Sequence, residues 1–140
     1  MIHAFASLNP VAILVVSILC FLIGGLWYSP LLFVKAWMKE MKITPESMKA
    51  QNKSMAKTMG TAFVLTLVST ITLATLIALR HTTSVLSGAE LGLFVGAGLV
   101  AAREGTNAVF ESRTFRHFMI VAGHDITLLV IQGAILAVWR

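Results

Sequence analysis

Charge is what this sequence has least of. Lys, Arg, Asp and Glu together make up 12% of the 140 residues, about half the share found in an ordinary soluble domain. A chain so poor in charge does not suit a water-exposed surface. With 57% hydrophobic residues and a mean hydropathy of +0.85 it falls in the membrane class. Cysteine is nearly absent too. Cys20 stands alone inside an apolar run, which excludes an internal disulfide and a cysteine metal site and reads as a small buried hydrophobe. There is no Gly-rich phosphate loop, no HExxH helix and no GxSxG elbow. A non-enzymatic protein without metal or cofactor is therefore expected.

What the sequence does have is apolar runs. A spanning helix takes roughly 20 residues, so four of them consume more than half the chain and leave no room for a separate soluble domain. The expectation is one domain, 1–140, of the all-α class. It is an integral membrane four-helix bundle with spans at about 10–28, 59–79, 88–110 and 115–139. Asn9 can cap the first span, and Pro10 suits its first turn. A cleaved leader is the competing reading of that run, but Met1 to Asn9 holds no Lys or Arg, and Leu26-Trp27-Tyr28 is unlike a small-residue cleavage site. Trp27 and Tyr28 read instead as interfacial anchors of a retained span. In the second span Thr58, Thr61, Ser69 and Thr72 share one face within about 60°, a pattern suited to helix packing.

The connection 29–57 is basic. Lys35, Lys39 and Lys42 fall on one side of a short amphipathic stretch with Trp37 on the other, which predicts an interfacial helix whose lysines reach anionic headgroups while Trp37 sinks. Thr44-Pro45-Glu46 then restarts a helix, and Lys49, Lys53 and Lys57 form a further basic stripe. The net charge of +5 is thus spent beside apolar spans, and anionic lipid rather than nucleic acid is the expected partner. Lys and Arg number eight in the first and third connections (the latter with Arg113 and Arg116). The second connection and the C-terminus have only Arg80 and Arg140. That asymmetry predicts cytoplasmic basic connections and both termini outside the cell membrane.

The third and fourth spans carry the chemistry-bearing residues. Gly88, Gly92 and Gly96 form a small-residue ridge, which predicts close helix packing and allows self-association. On a straight helix Glu90, Glu104 and Glu111 lie within about 60° of each other on nearly the opposite side, with Arg103 turned toward the ridge. Lone charges at such depth cost about 2.5–3.5 kcal/mol, so they pair or line a wet cavity. Folding the hairpin about 112–113 puts Arg103 within reach of Asp125, and Glu104 about one turn from both His117 and His124. The cluster Arg103, Glu104, His117, His124 and Asp125 is thus either an ion-pair network fixing hairpin register or a relay. The relay is open because a histidine beside a buried carboxylate can titrate near neutral pH. Asp125 and Gln132, at i and i+7, share a face. His124-Asp125 suggests a metal pair, but neighbours on a helix point about 100° apart and no further ligand stands at useful spacing.

Two stretches have a familiar look. Gly25-Leu26-Trp27-Tyr28-Ser29-Pro30, continuing to Phe33, Lys35, Ala36 and Trp37, and the ending Gly133-Ala134-Ile135-Leu136-Ala137-Val138-Trp139 resemble the bacterial membrane family called domain of unknown function 1761. The resemblance covers essentially the whole chain and implies a prokaryotic cell-membrane location. It implies no activity, and His124-Asp125 departs from the aromatic more usual there. Small multidrug exporters have a similar length and span count, but they carry a glutamate in the first span, whereas this first span has no acidic or basic residue between Pro10 and Tyr28. Two functional classes follow. The first is a non-enzymatic protein that self-associates as a homo-oligomer or joins a larger membrane complex. The alternative is a small proton-coupled transporter or channel using the buried charges.

Overall fold

The structure is a computed structural model, and it describes residues 7–44, 46, 47 and 54–139. Every element among the described residues is helical. Helix α1 is Pro10–Trp27, α2 Val34–Met41 and α3 Met55–Leu79. The third span is built from α4 (Val85–Val95), a π-helical stretch Gly96–Ala101 and α5 (Ala102–Phe110), and α6 is Phe115–Val138. Four of these units are long and apolar enough to cross a membrane: Pro10–Trp27, Met55–Leu79, Val85–Phe110 and Phe115–Val138. The expected all-α bundle is what the chain forms. Lys49, Lys53, Pro45 and Arg140, used above, lie outside the described residues.

The boundaries follow from capping chemistry. Asn9 Oδ1 accepts from the Val11 and Ala12 amides at 3.0 and 3.1 Å, satisfying donors that the first turn leaves orphaned. Ser54, Ser84 and Thr114 cap α3, α4 and α6 in the same way. Ser84 starts the third span at Val85, three residues before the glycine ridge. The tight connections close on residues with positive φ, Lys42, His81 and Ser112, none of them glycine. Thr44 and Ser47 cap each other reciprocally, the Thr44 amide on Ser47 Oγ at 3.0 Å and the Ser47 amide on Thr44 Oγ1 at 3.1 Å, and helix resumes at 46 and 47.

Helix α6 is the centre of the bundle. It packs on α1 and α3 along one side and on the third span along the other, and α2 lies across its start. Ala12, Ile13, Val16 and Cys20 of α1 meet Leu73, Ala74 and Ile77 of α3, Leu91 of α4, and Leu129, Leu136 and Ala137 of α6. All of these lie toward the end remote from the lysine-bearing connection, here called the far end as against the basic end. The glycine ridge forms the seam with α6. A Cβ on Gly88 would fall 2.1 Å from the Gly133 carbonyl oxygen, and one on Gly92 2.1 Å from that of Leu129. Backbones come this close only because neither residue carries a side chain. The ridge is therefore buried within the chain, and the self-association it allowed on sequence has no free ridge to use.

In α3 the hydroxyls mostly serve their own helix. Thr66, Thr70, Thr72 and Thr75 each donate to the carbonyl four residues back. Thr58, Thr61 and Thr72 face outward, while Ser69 turns inward to Gln132. Gln132 is 1% exposed, and its amide nitrogen donates to Thr70 Oγ1 at 3.2 Å. A buried amide is tolerable there because both of its ends find partners.

Candidate functional site

Three groups of polar side chains occupy the basic half of the bundle. The first is the His124–Asp125 pair, ten residues into a span of 24. His124 Nδ1 lies 2.7 Å from Asp125 Oδ1, although the two are sequence neighbours. With the carboxylate ionised, Nδ1 is the donor in this contact, and a neutral ring then keeps its lone pair on Nε2. Nε2 points at α1, where a Cβ on Gly24 would sit 3.1 Å away. Beside it opens a groove of about 600 Å³, walled by Cys20, Phe21 and Gly24 of α1, Tyr28 just after it, Met59 and Thr66 of α3, and His124 of α6. The walls are mostly apolar, with the imidazole as the basic group among them.

Aromatic rings hold that imidazole in place. Tyr28 and Trp27 lie 5.1 and 5.9 Å from His124 between ring centroids, Phe33 packs on Trp27 at 4.7 Å, and Trp37 meets Tyr28 edge-on at 6.0 Å. The Trp27 indole N–H donates to the Ile120 carbonyl at 3.2 Å, and its ring lies against Gly123 of α6. Trp27 and Tyr28 thus pack on α6 at the end of the first span. Their rings turn inward onto α6, because the indole donor finds a carbonyl there and the chain reverses at Ser29 and Pro30. Trp37 is likewise half-buried against Tyr28, while Lys35, Lys39 and Lys42 are exposed on the other side of α2.

The second group lines a polar cavity of about 200 Å³ between α5 and α6 at the basic end, with Glu104, Asn107, Glu111, Arg113 and His117 on its walls. Here the structure departs from the straight-helix reading. A π turn holds one residue more than an α turn, so residues beyond it stand one position, about 100°, behind their place on a regular helix. Glu104 consequently takes the inward position that the sequence pattern gave to Arg103. Arg103 is exposed and makes no ion pair among the described residues. The Arg103–Asp125 bridge does not form; Asp125 is held by His124 instead. Glu104 shares its cavity with His117 and not with His124. His117 Nδ1 is buried without a hydrogen-bond partner among the described residues. Glu90, on the α4 side of the π stretch, is exposed. Gln132 lies beyond the site, held by Thr70 and Ser69.

The third group ties α2 to the start of α6. Glu40 accepts from the Thr114 hydroxyl and faces Arg116 at 3.9 Å, while Arg113 reaches the Met41 sulfur at 3.0 Å and Glu111 at 3.1 Å. Glu40 had no signal in the sequence, since its partners lie more than 70 residues away. Gly24 had no signal of its own, whereas Tyr28 was legible as a span-end aromatic and as part of the string Gly25 to Trp37. Among the described residues no group of three or more His, Cys, Asp or Glu is placed to hold a metal ion.

A family model described as protein of unknown function (DUF1761) matches residues 11–137. No curated protein and no solved structure matches the chain.

Proposed function

This chain belongs to the DUF1761 family, and we propose that it is a non-enzymatic multi-pass membrane protein working as a small proton-coupled carrier or channel centred on His124 and Asp125. The observation that carries this reading is the 2.7 Å imidazole–carboxylate contact at mid-span, with Nε2 turned to a groove of about 600 Å³. Histidine is the side chain whose ordinary pKa lies nearest physiological pH. Ionisable groups at such depth mark ion and proton pathways when they border a cavity. On this reading the basic end faces the cytoplasm of a prokaryotic cell, both termini lie outside, and Lys35, Lys39 and Lys42 rest on anionic headgroups. The test is proton flux into vesicles holding a pH-sensitive dye. Wild-type protein should collapse an imposed pH gradient, and Asp125→Asn should slow that at least tenfold. Absence of flux, or flux indifferent to Asp125→Asn, overturns the proposal.

Association with a second copy or within a larger complex is the other reading. It needs a surface other than the ridge, and the outward face of the third span, with Leu93, Phe94 and Leu99 exposed, is the one it would use. Cross-linking through cysteine at Phe94 in native membranes should then give a dimer, and its absence there removes that surface.

A further inference from the structure

The π stretch Gly96–Ala101 does more than bend a helix. It turns Glu104 from the outside of the third span into the cavity shared with Asn107, Glu111, Arg113 and His117. A stretch of this kind is often found at functional sites. At about 200 Å³ the cavity has room for several waters, and its walls offer them both donors and acceptors. His117 Nδ1, buried and without a protein partner among the described residues, is the kind of atom that a bound water satisfies.

We infer that this cavity is a hydrated vestibule, and that Glu104 is the carboxylate that takes protons from its water. The inference rests on the proton-coupled reading above. A hydronium in the vestibule gives a proton to the Glu104 carboxylate and is left as water. The carboxyl then gives that proton to a neighbouring water of the cavity and returns to its carboxylate form. The charged and titratable groups around Glu104 are Glu111, Arg113 and His117 at the vestibule, and Glu40 and Arg116 where α2 meets the start of α6.

The test uses the full chain in vesicles. Glu104→Gln should lower proton flux at least tenfold, Glu104→Asp should restore part of it, and Glu90→Gln, exposed on the same span, should match wild type. Wild-type flux with an equally fast Glu104→Gln overturns the vestibule and leaves the proton-coupled reading standing. A wild type that moves no protons overturns that reading and this inference together. Hydration is read separately in detergent on Asn107→Cys. This thiol should react with a water-soluble maleimide at a rate within tenfold of Ser54→Cys, at the exposed start of α3. An Asn107→Cys as inert as Ala74→Cys, in the packed core, overturns the vestibule even if Glu104→Gln does not fold.

Discussion

Gly24 and Gly25 are neighbours on α1 with opposite surroundings. A Cβ on Gly24 would lie 3.1 Å from His124 Nε2, and one on Gly25 would meet nothing within 4 Å. Gly24→Ala should therefore push the imidazole off its place by a few tenths of an ångström, while Gly25→Ala leaves it alone. Proton transfer is steep in such displacements, so Gly24→Ala should reduce flux several-fold with little change in thermal stability, and Gly25→Ala should be silent. Equal flux in the two variants would break the link between Nε2 and the groove. The sequence shows His124 and Asp125 as unusual residues for mid-span, and the chain's only aspartate is one of them. It does not show that they would bond each other. Side chains one residue apart leave a helix about 100° apart, and only their torsions bring Nδ1 and Oδ1 together. Nor does any local pattern mark Glu40, whose partners come from the far side of the fold.

The third span joins a legible half to an illegible one. A four-residue glycine period is a direct consequence of helix geometry, and α4 packs on α6 through Gly88 and Gly92 as that period requires. Beyond Val95 the regular period fails, because a π turn depends on how both ends of the helix must pack and not on any residue pattern of its own. One inserted position exchanges the roles of Arg103 and Glu104. The ion pair expected from straight-helix angles is lost with it. The seam makes a clear prediction at this scale. Gly92→Ala forces a methyl to 2.1 Å from the Leu129 carbonyl oxygen, whereas Gly98→Ala meets nothing within 4 Å. Overpacking of this kind costs about 1–3 kcal/mol, and an open site changes stability by no more than about 0.5 kcal/mol. Thermal unfolding in detergent should show a lowered midpoint for Gly92→Ala alone. A Gly92→Ala protein as stable as wild type would mean that the ridge does not face α6.

Across the whole molecule, close packing and cavities divide along the bundle axis. The core of α1, α3, α4 and α6 lies toward the far end, from Ala12 to Cys20, Leu73 to Ile77, Leu91, and Leu129 to Ala137. The groove and the polar cavity both lie toward the basic end. A bundle built this way is packed at one end and hollowed at the other, and the proton-coupled proposal puts its entry at the hollowed end. Backbone amides in a dry, packed half open only with the larger part of the fold, whereas those beside water open locally. Hydrogen exchange in nanodiscs should therefore find residues 70–77 and 129–137 protected long after 102–110 have exchanged, although all three stretches are helical. If Glu104 serves a hydrated vestibule, Glu104→Gln leaves this pattern in place while slowing proton flux, since the water is held by the cavity and the proton by the carboxylate. Uniform protection across the three stretches would place the cavity outside the reach of water and remove the asymmetry on which a one-sided entry depends.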